Sequence, residues 1–339
     1  MINRLIWLET DNTYPYRNLA MEEYMTNHVP DGTCILFLWQ NRHTVVIGRN
    51  QNCWKECRVN FLEQENGYLV RRLSGGGAVF HDLGNLNFTF IVKKKDYDVS
   101  KQLDVILEAV RSLGLKAEKT GRNDITVDGR KFSGNAFFQS GDYCCHHGTL
   151  LVDVDRELMS RYLNVSREKL ASKSVSSVKS RVVNLRELLP GLTLEQLKTA
   201  LVDAFSQVYG MRPRHMEEGE LPAEEIERLT ERFASDAWKY GRKMPFDYEL
   251  ARRFGWGDIQ LQLHVEGGIV LDAAAYSDAM DPEFIGRLPE ALKGCVCGRE
   301  GLCGALEQMA GEYGAGTDPG GAPLSQVLSD IKALISESF

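Results

Sequence analysis

The stretch Arg71–Asn85, RRLSGGGAVFHDLGN, sets Gly75, Gly76 and Gly77 between paired arginines and an apolar segment. A backbone without side chains lets an anionic ligand approach closely, and its N–H groups can turn toward phosphate oxygens. The flanks decide what kind of turn this is. Tyr68–Leu73 reads as a strand leading in, and Leu86–Val92, rich in aromatic and β-branched residues, as a strand leading out. The glycines therefore join strand to strand. That excludes the dinucleotide fingerprint and the P-loop, both of which need a helix after the glycines and a different spacing. A tight turn in a sheet protein would also explain three glycines. Arg71 and Arg72, with His81 and Asp82 just beyond, tilt the reading toward an anion.

A second run, Gly121–Gly134 (GRNDITVDGRKFSG), answers the first. Ile125–Val127 and Lys131–Phe138 form a hairpin closed by Asp128-Gly129, which puts Lys131 at the start of the returning strand. Upstream, Arg4–Leu8 is a short strand, Tyr16–Asn27 a helix, Cys34–Trp39 (CILFLW) a strand covered on both faces, and Val45–Ile47 another strand. Val99–Leu113 is an amphipathic helix stopped by Gly114, and His147–Val152 the next strand. Ser166–Ser180 is small, polar and basic and reads as a loop. A helix follows over Thr193–Tyr209, and a linker near Tyr240–Pro245. Beyond it lie a hairpin, Ile259–Val265 with Ile269–Tyr276, a connector Gly311–Ala322 and a last helix Leu324–Ile335.

The 339 residues suffice for two domains, and 43% apolar with 26% charged residues is ordinary for a globular chain. A net charge of −7 argues against a general nucleic-acid binder. No apolar run is long enough to span a membrane, and the N-terminus lacks a leader, so a cytoplasmic address is expected. Eight scattered cysteines suit reduced thiols. Cys295, Cys297 and Cys303 have neither zinc spacing nor an evident fourth ligand, and free thiols are expected there.

A lone strand lysine is usually solvated. Lys131, however, stands among Phe132, Gly134, Ala136 and Phe137, where a point charge between a carboxylate and an α-phosphate would offset the repulsion of two anions. Asn123 and Asp124 offer an amide and a hard oxygen suited to Mg²⁺. Cys144 and Cys145, beside His146 and His147, suggest a thiol nucleophile with a base, but adjacent strand residues face opposite ways, so at most one faces a given pocket.

Taken together, RRLSGGGAVFHDLGN, GRNDI, GRKFSG, HHGTLL, SKSVSSVKSRVVNL and RFGWGDIQLQLHVEGGI resemble the lipoate–protein ligase A family of the biotin/lipoate ligase superfamily. The likeness thins beyond Gly294, and the GRGR-type signature of biotin ligases is missing. It implies an α+β catalytic domain with mixed sheet and flanking helices over 1–243, and a small α+β accessory domain over 247–339. It also implies a two-step reaction. Lipoate attacks the α-phosphate of Mg-ATP to give lipoyl-AMP, and a lysine of an acceptor lipoyl domain (an E2 subunit or the glycine-cleavage H protein) then takes the acyl group. Arg72, Gly75, Gly76, Gly77, Ala78, Val79, Phe80, Asn123, Asp124 and Lys131 would hold the nucleotide. Lys131, Val79, Ser133, Gly134, His147, Gly148 and Thr149 would line the lipoyl site, and Lys173–Arg181 would close over the adenylate. The rivals are an ATP-independent lipoyl or octanoyl transferase, a transferase using preformed lipoyl-AMP, and a non-catalytic binding module. The accessory domain favours the complete ligase.

Overall fold

Two strands buried on both faces organise the larger part of the chain. The computed structural model describes residues 1–120, 124–164, 182–314, 316–317 and 321–339. Its contacts divide the chain into two units. The first comprises Met1–Val46, Cys57–Val70 and Val79–Lys239; the second comprises Ile47–Glu56, Arg71–Ala78 and Tyr240–Phe339.

In chain order the strands are β1 (Arg4–Glu9), β2 (Thr33–Trp39), β3 (Thr44–Ile47), β4 (Tyr68–Arg71), β5 (Val79–His81), β6 (Asn85–Lys93) and β7 (Ala117–Thr120). There follow β8 (Asp124–Val127), β9 (Arg130–Ser140), β10 (Tyr143–Leu151) and β11 (Arg214–His215). Eight of them form one sheet in the order β11-β1-β2-β6-β10-β9-β8-β7. β1 pairs parallel with β11 and β2, while the remaining neighbours run antiparallel. A smaller sheet, β4-β3-β5, carries the strands that enter and leave the glycine run.

Every residue of β2 and nearly every residue of β6 is buried, so both faces of the central sheet are covered. Alternation assigns each side chain to a layer. Leu36, Leu38, Phe88 and Phe90 join one core with Leu103, Ile106 and Val110 of the helix Val99–Ser112, and with Leu201 and Phe205 of the helix Leu194–Tyr209. Burying each such side chain is worth roughly 1.5–3 kcal/mol. Both helices start on sequence-legible caps: Asp98 accepts from Lys101 N–H at 3.0 Å, and Thr193 and Gln196 form a capping box. Thr89, between the two phenylalanines, points the other way and donates to Glu22 of the helix Pro15–His28 at 2.7 Å. That helix packs in turn against the helix Ala223–Ala234.

The hairpin of β8 and β9 turns at Asp128 and Gly129, with φ of 50° and 70°, the left-handed pair such a two-residue turn requires. β10 begins at Tyr143, four residues earlier than its pattern suggested, because Cys144 and His146 are buried like core residues. The segment Ser166–Ser180, expected as a loop, lies outside the described residues, as do Asn123 and the whole of Lys173–Arg181.

In the second unit β12 (Tyr248–Phe254), β13 (Gly257–Glu266) and β14 (Ile269–Ser277) form an antiparallel sheet. The helices Pro282–Leu292, Arg299–Tyr313 and Leu324–Ser338 cover it around Leu261, Leu263, Phe284, Leu306 and Ile331. The helix Arg299–Tyr313 runs three residues into the stretch read as a connector. Ile47–Glu56 belongs here through Asn50, whose carbonyl accepts from Ser277 N–H at 3.0 Å and whose amide donates to Pro282 O at 2.7 Å.

His146 shows how β10 is fixed from inside. Its ring lies between Gln102 Oε1 at 3.0 Å and Asn135 Oδ1 at 2.8 Å, with the rings of Phe88, Phe90 and Phe137 around it. Burial, with smaller repulsion from His147 and Lys119, pushes its pKa down from 6.5 to about 3. Between those values the unfolded chain takes up a proton that the folded chain refuses, so stability falls as pH drops below about 6.5. Replacing His146 by Gln should reduce proton uptake on unfolding at pH 5 by about one. Urea unfolding midpoints at pH 7 and pH 5 check this: the wild-type midpoint drops more than that of His146→Gln.

Candidate functional site

Lys131 owes its direction to one extra residue. Across the β8–β9 hairpin Thr126 faces Lys131 and Ile125 faces Ser133, so Phe132 has no opposite number and β9 bulges. A bulge interrupts alternation and re-aims a side chain. Lys131 and Gly134, three residues apart, consequently lie on the same side, and a Cβ on Gly134 would stand 3.0 Å from Lys131 Nζ. The ammonium reaches Asp124 Oδ1 at 2.6 Å, and both side chains are about one-third exposed, at 35% and 38%. The backbone of Lys131 is held as well, its carbonyl accepting from Val183 N–H at 2.9 Å. Phe132 meanwhile points into the core.

The neighbouring strand completes the floor. Gly134 N–H donates to Thr149 Oγ1 at 3.3 Å. A Cβ on Gly148 would meet Phe88 Cζ at 2.5 Å and the Gly134 carbonyl at 2.8 Å, so this position is closed to larger residues. Ser133 is fully buried, and its hydroxyl has no hydrogen-bond partner among the described residues. His147 lies on the face opposite His146, where Nδ1 meets Glu22 Oε1 at 2.9 Å. The same carboxylate oxygen accepts from Thr89 Oγ1, which in turn accepts from Trp39 Nε1 at 3.0 Å. Trp39, Thr89 and Glu22 escaped the motif reading. The signal for Glu22 was available as a carboxylate beside Leu19, Met21 and Met25 on the buried side of its helix.

The two cysteines before the histidines part as alternation requires: Cys144 falls in the core with Leu103 and Phe90, Cys145 on the Glu22 side. Burial pushes the Cys144 thiol up to about 11. Burial and the Glu22 carboxylate hold the Cys145 thiol well above its ordinary range, so neither offers a ready thiolate. Cys295, Cys297 and Cys303 are free thiols, and among the described residues they form no metal-binding group.

In the second unit, Gly75–Ala78 is a loop built by the arginines. Arg72 is buried and donates to Ser74 Oγ at 2.9 Å, to Gly75 O at 2.6 Å and to Gly77 O at 2.9 Å. Arg71 donates to the carbonyls of Gly48, Arg49 and Gln51, and burial lowers its pKa to about 10. Gly76 takes φ of 87° while its N–H donates to Ala279 O at 3.1 Å. A Cβ on Gly75 would sit 2.2 Å from that carbonyl. Gly77 has open space where a side chain would stand, and Gly77, Ala78 and Val79 remain half-buried. Phe80, the next residue, is buried against Tyr162 with ring centroids 5.6 Å apart. In the first unit the end of the motif is structural, for Asp82 accepts from Gly84 N–H and Asp155 N–H, both at 2.8 Å.

The model of the lipoyl protein ligase A/B catalytic domain matches residues 14–206, and that of the bacterial lipoate protein ligase C-terminus matches 243–319. The crystal structure of P. falciparum LipL1 in complex with lipoate has a TM-score of 0.82 and 26% identity, over 98% of this chain and 99% of that one. A lipoate-protein ligase A bound with ATP gives 0.60 at 25% identity, over 71% of this chain and 99% of its own. The bipartite lipoate protein ligase of Thermoplasma acidophilum, studied with its E2 lipoyl domain, gives 0.61 at 27%, over 72% and 99%. With the catalytic-domain match covering more than half of its length, the chain belongs to the lipoyl protein ligase A/B family.

Proposed function

We propose that the protein is an ATP-dependent lipoate–protein ligase that makes lipoyl-AMP and passes the lipoyl group to a lysine of an acceptor lipoyl domain. The observation that carries this reading is the Lys131 ammonium, re-aimed by the bulge and held 2.6 Å from Asp124 above a strand floor stripped of side chains at Gly134. A cation in that position suits the first step. The lipoate carboxylate oxygen forms a bond to the α-phosphorus, the bond to the pyrophosphate oxygen breaks, and pyrophosphate leaves. Lys131 lowers the repulsion between the two anions and stabilises charge building on the phosphoryl oxygens. In the second step the acceptor amine attacks the acyl carbon, the acyl–phosphate bond breaks, AMP departs and the amine loses a proton.

Support comes from relatives solved with lipoate and with ATP, and from one studied alongside its E2 lipoyl domain. We assign the nucleotide to the loop from Gly75 through Phe80 with Asn123, Asp124 and Lys131, and the acyl chain to Val79, Ser133, Gly134, His147, Gly148 and Thr149. Arg72 serves the nucleotide through the loop whose carbonyls it gathers. The Asp124 carboxylate fits a hard cation: one oxygen meets Lys131, the other is left for Mg²⁺, which would neutralise phosphate charge. The catalytic domain is 1–243, with an accessory domain over 247–339, and the setting is the cytoplasm. None of the described helices is long and apolar enough to cross a membrane.

Lipoate-dependent exchange of pyrophosphate into ATP tests the first step, and lipoylation of a lipoyl domain with and without ATP tests the whole. Exchange that requires lipoate is expected; transfer from an acyl donor without ATP would instead make the protein a transferase. Lys131→Ala should slow exchange by about a hundred- to a thousandfold, the scale for one lost charge-stabilising donor. Its melting temperature should stay close to the wild type's, because the ion pair is exposed. Arg72→Ala should raise the KM for ATP by about tenfold or more while the KM for the acceptor domain stays within about twofold.

A further inference from the structure

β10 accompanies β9 only from Asn135, opposite Gly148, to Ser140, opposite Tyr143. Nearer the turn, where Lys131 stands, Thr126 of β8 lies on one side and Val182 takes the other, paired parallel as an isolated bridge. Val183 N–H donates to the Lys131 carbonyl at 2.9 Å, and the Val182 carbonyl accepts from Arg156 Nη1 at 3.3 Å. A segment remote in sequence thus replaces β10 as the second neighbour of the lysine.

That segment is clipped in place by one amide. Asn184 Oδ1 accepts from Val154 N–H and Asn184 Nδ2 donates to Val154 O, both at 3.0 Å, just beyond the end of β10. The anchor is itself firm, since Val152 N–H and Asp153 N–H donate to Gly84 O at 3.0 and 2.9 Å. We propose that Asn184 is a positioning residue for the activation step, fixing through Val183 the register in which the backbone presents Lys131. The role of Lys131 rests on the ligase reading above; the coupling of Asn184 to it rests on these contacts.

Burial alone would not fix that register. Val183 and Leu185, on either side of Asn184, are fully buried in the core. Apolar burial is non-directional, so it retains the segment without choosing where each N–H falls. An amide that both gives a hydrogen bond to one peptide group and takes one from it has a single register. Asn184 is only 6% exposed, and burying such a side chain unpaired would be costly. A slip by one residue would therefore break both bonds to Val154 and move the Val183 N–H away from the Lys131 carbonyl. Misplacing a catalytic group by about 1 Å can cost a hundredfold in rate.

The test is a double-mutant cycle on lipoate-dependent pyrophosphate exchange, read beside hydrogen exchange of the Val183 amide. Asn184→Ala should lower kcat about tenfold to a hundredfold and leave the KM for ATP and lipoate within about twofold, the pattern of a group needed only in the transition state. In a Lys131→Ala background the same change should alter the rate by less than about twofold, because its route runs through Lys131. The Val183 amide should exchange about tenfold faster or more in Asn184→Ala, while amides of β2 keep their protection. Should Asn184→Ala fail to fold, Asn184→Asp takes its place: its carboxylate still accepts from Val154 N–H but no longer donates to Val154 O, and the same pattern is expected at smaller size. A wild-type protein without exchange would sink the ligase reading instead. The cycle is then measured on transfer from lipoyl-AMP to a lipoyl domain, and the Val183 measurement stands unchanged. Equal losses in both backgrounds, a change in KM alone, or unaltered Val183 exchange would overturn the role given to Asn184.

Discussion

One unpaired residue in β9 is the constraint on which the candidate site depends. Strict alternation from the Asp128-Gly129 turn would set Lys131 and Gly134 on opposite faces. The extra residue, Phe132, goes into the core and leaves Lys131 facing the side where Gly134 and Thr149 lie. Filling that core position with phenylalanine fixes the bulge, since undoing it would expose an aromatic ring worth roughly 1.5–3 kcal/mol of burial. Packing on one face of the sheet therefore aims a charge on the other.

β10 repeats the division of labour with two adjacent histidines. His146, neutral and enclosed by Gln102, Asn135 and three phenylalanines, belongs to the fold. His147, one residue on, belongs to a polar line running through Glu22 and Thr89 to Trp39. Neither role is visible in the dipeptide itself. The pair becomes intelligible once the helices covering each face are known, one bringing Gln102 and the other Glu22.

Much of this was legible beforehand for a definite reason. The strand β2, the capped helices, the Asp128-Gly129 turn and the strand entering the glycines are local patterns that survive into the structure. The strand that leaves the glycines is instead the three-residue β5, ahead of the Leu86–Val92 stretch expected there, which lies in β6. What could not be read is long-range. The motif RRLSGGGAVFHDLGN looks uniform in sequence, yet Arg71 and Arg72 spend donors on carbonyls of residues 48–51 and 75–77, and Asp82 ties Gly84 to Asp155. Gly75 and Gly76 answer to Ala279, some 200 residues away, and no periodicity announces such a partner. The shift in β9 escaped for the same reason: a hairpin sequence specifies its turn but not a bulge set by a distant core.

The state of the Lys131–Asp124 pair fits a site meant to exchange partners. Two side chains about one-third exposed gain little from each other, about 0–1 kcal/mol after screening and lost side-chain freedom. Stability does not explain why the bulge holds them together. An anion with more charge than one carboxylate, such as a phosphoryl group, would draw the ammonium away from Asp124 at small cost. The carboxylate would then be free for a cation accompanying that anion. A buried, fully satisfied lysine would resist the same exchange, since breaking its pair would strand a charge. Partial exposure is thus what lets the proposed chemistry begin from a folded, charge-balanced resting state.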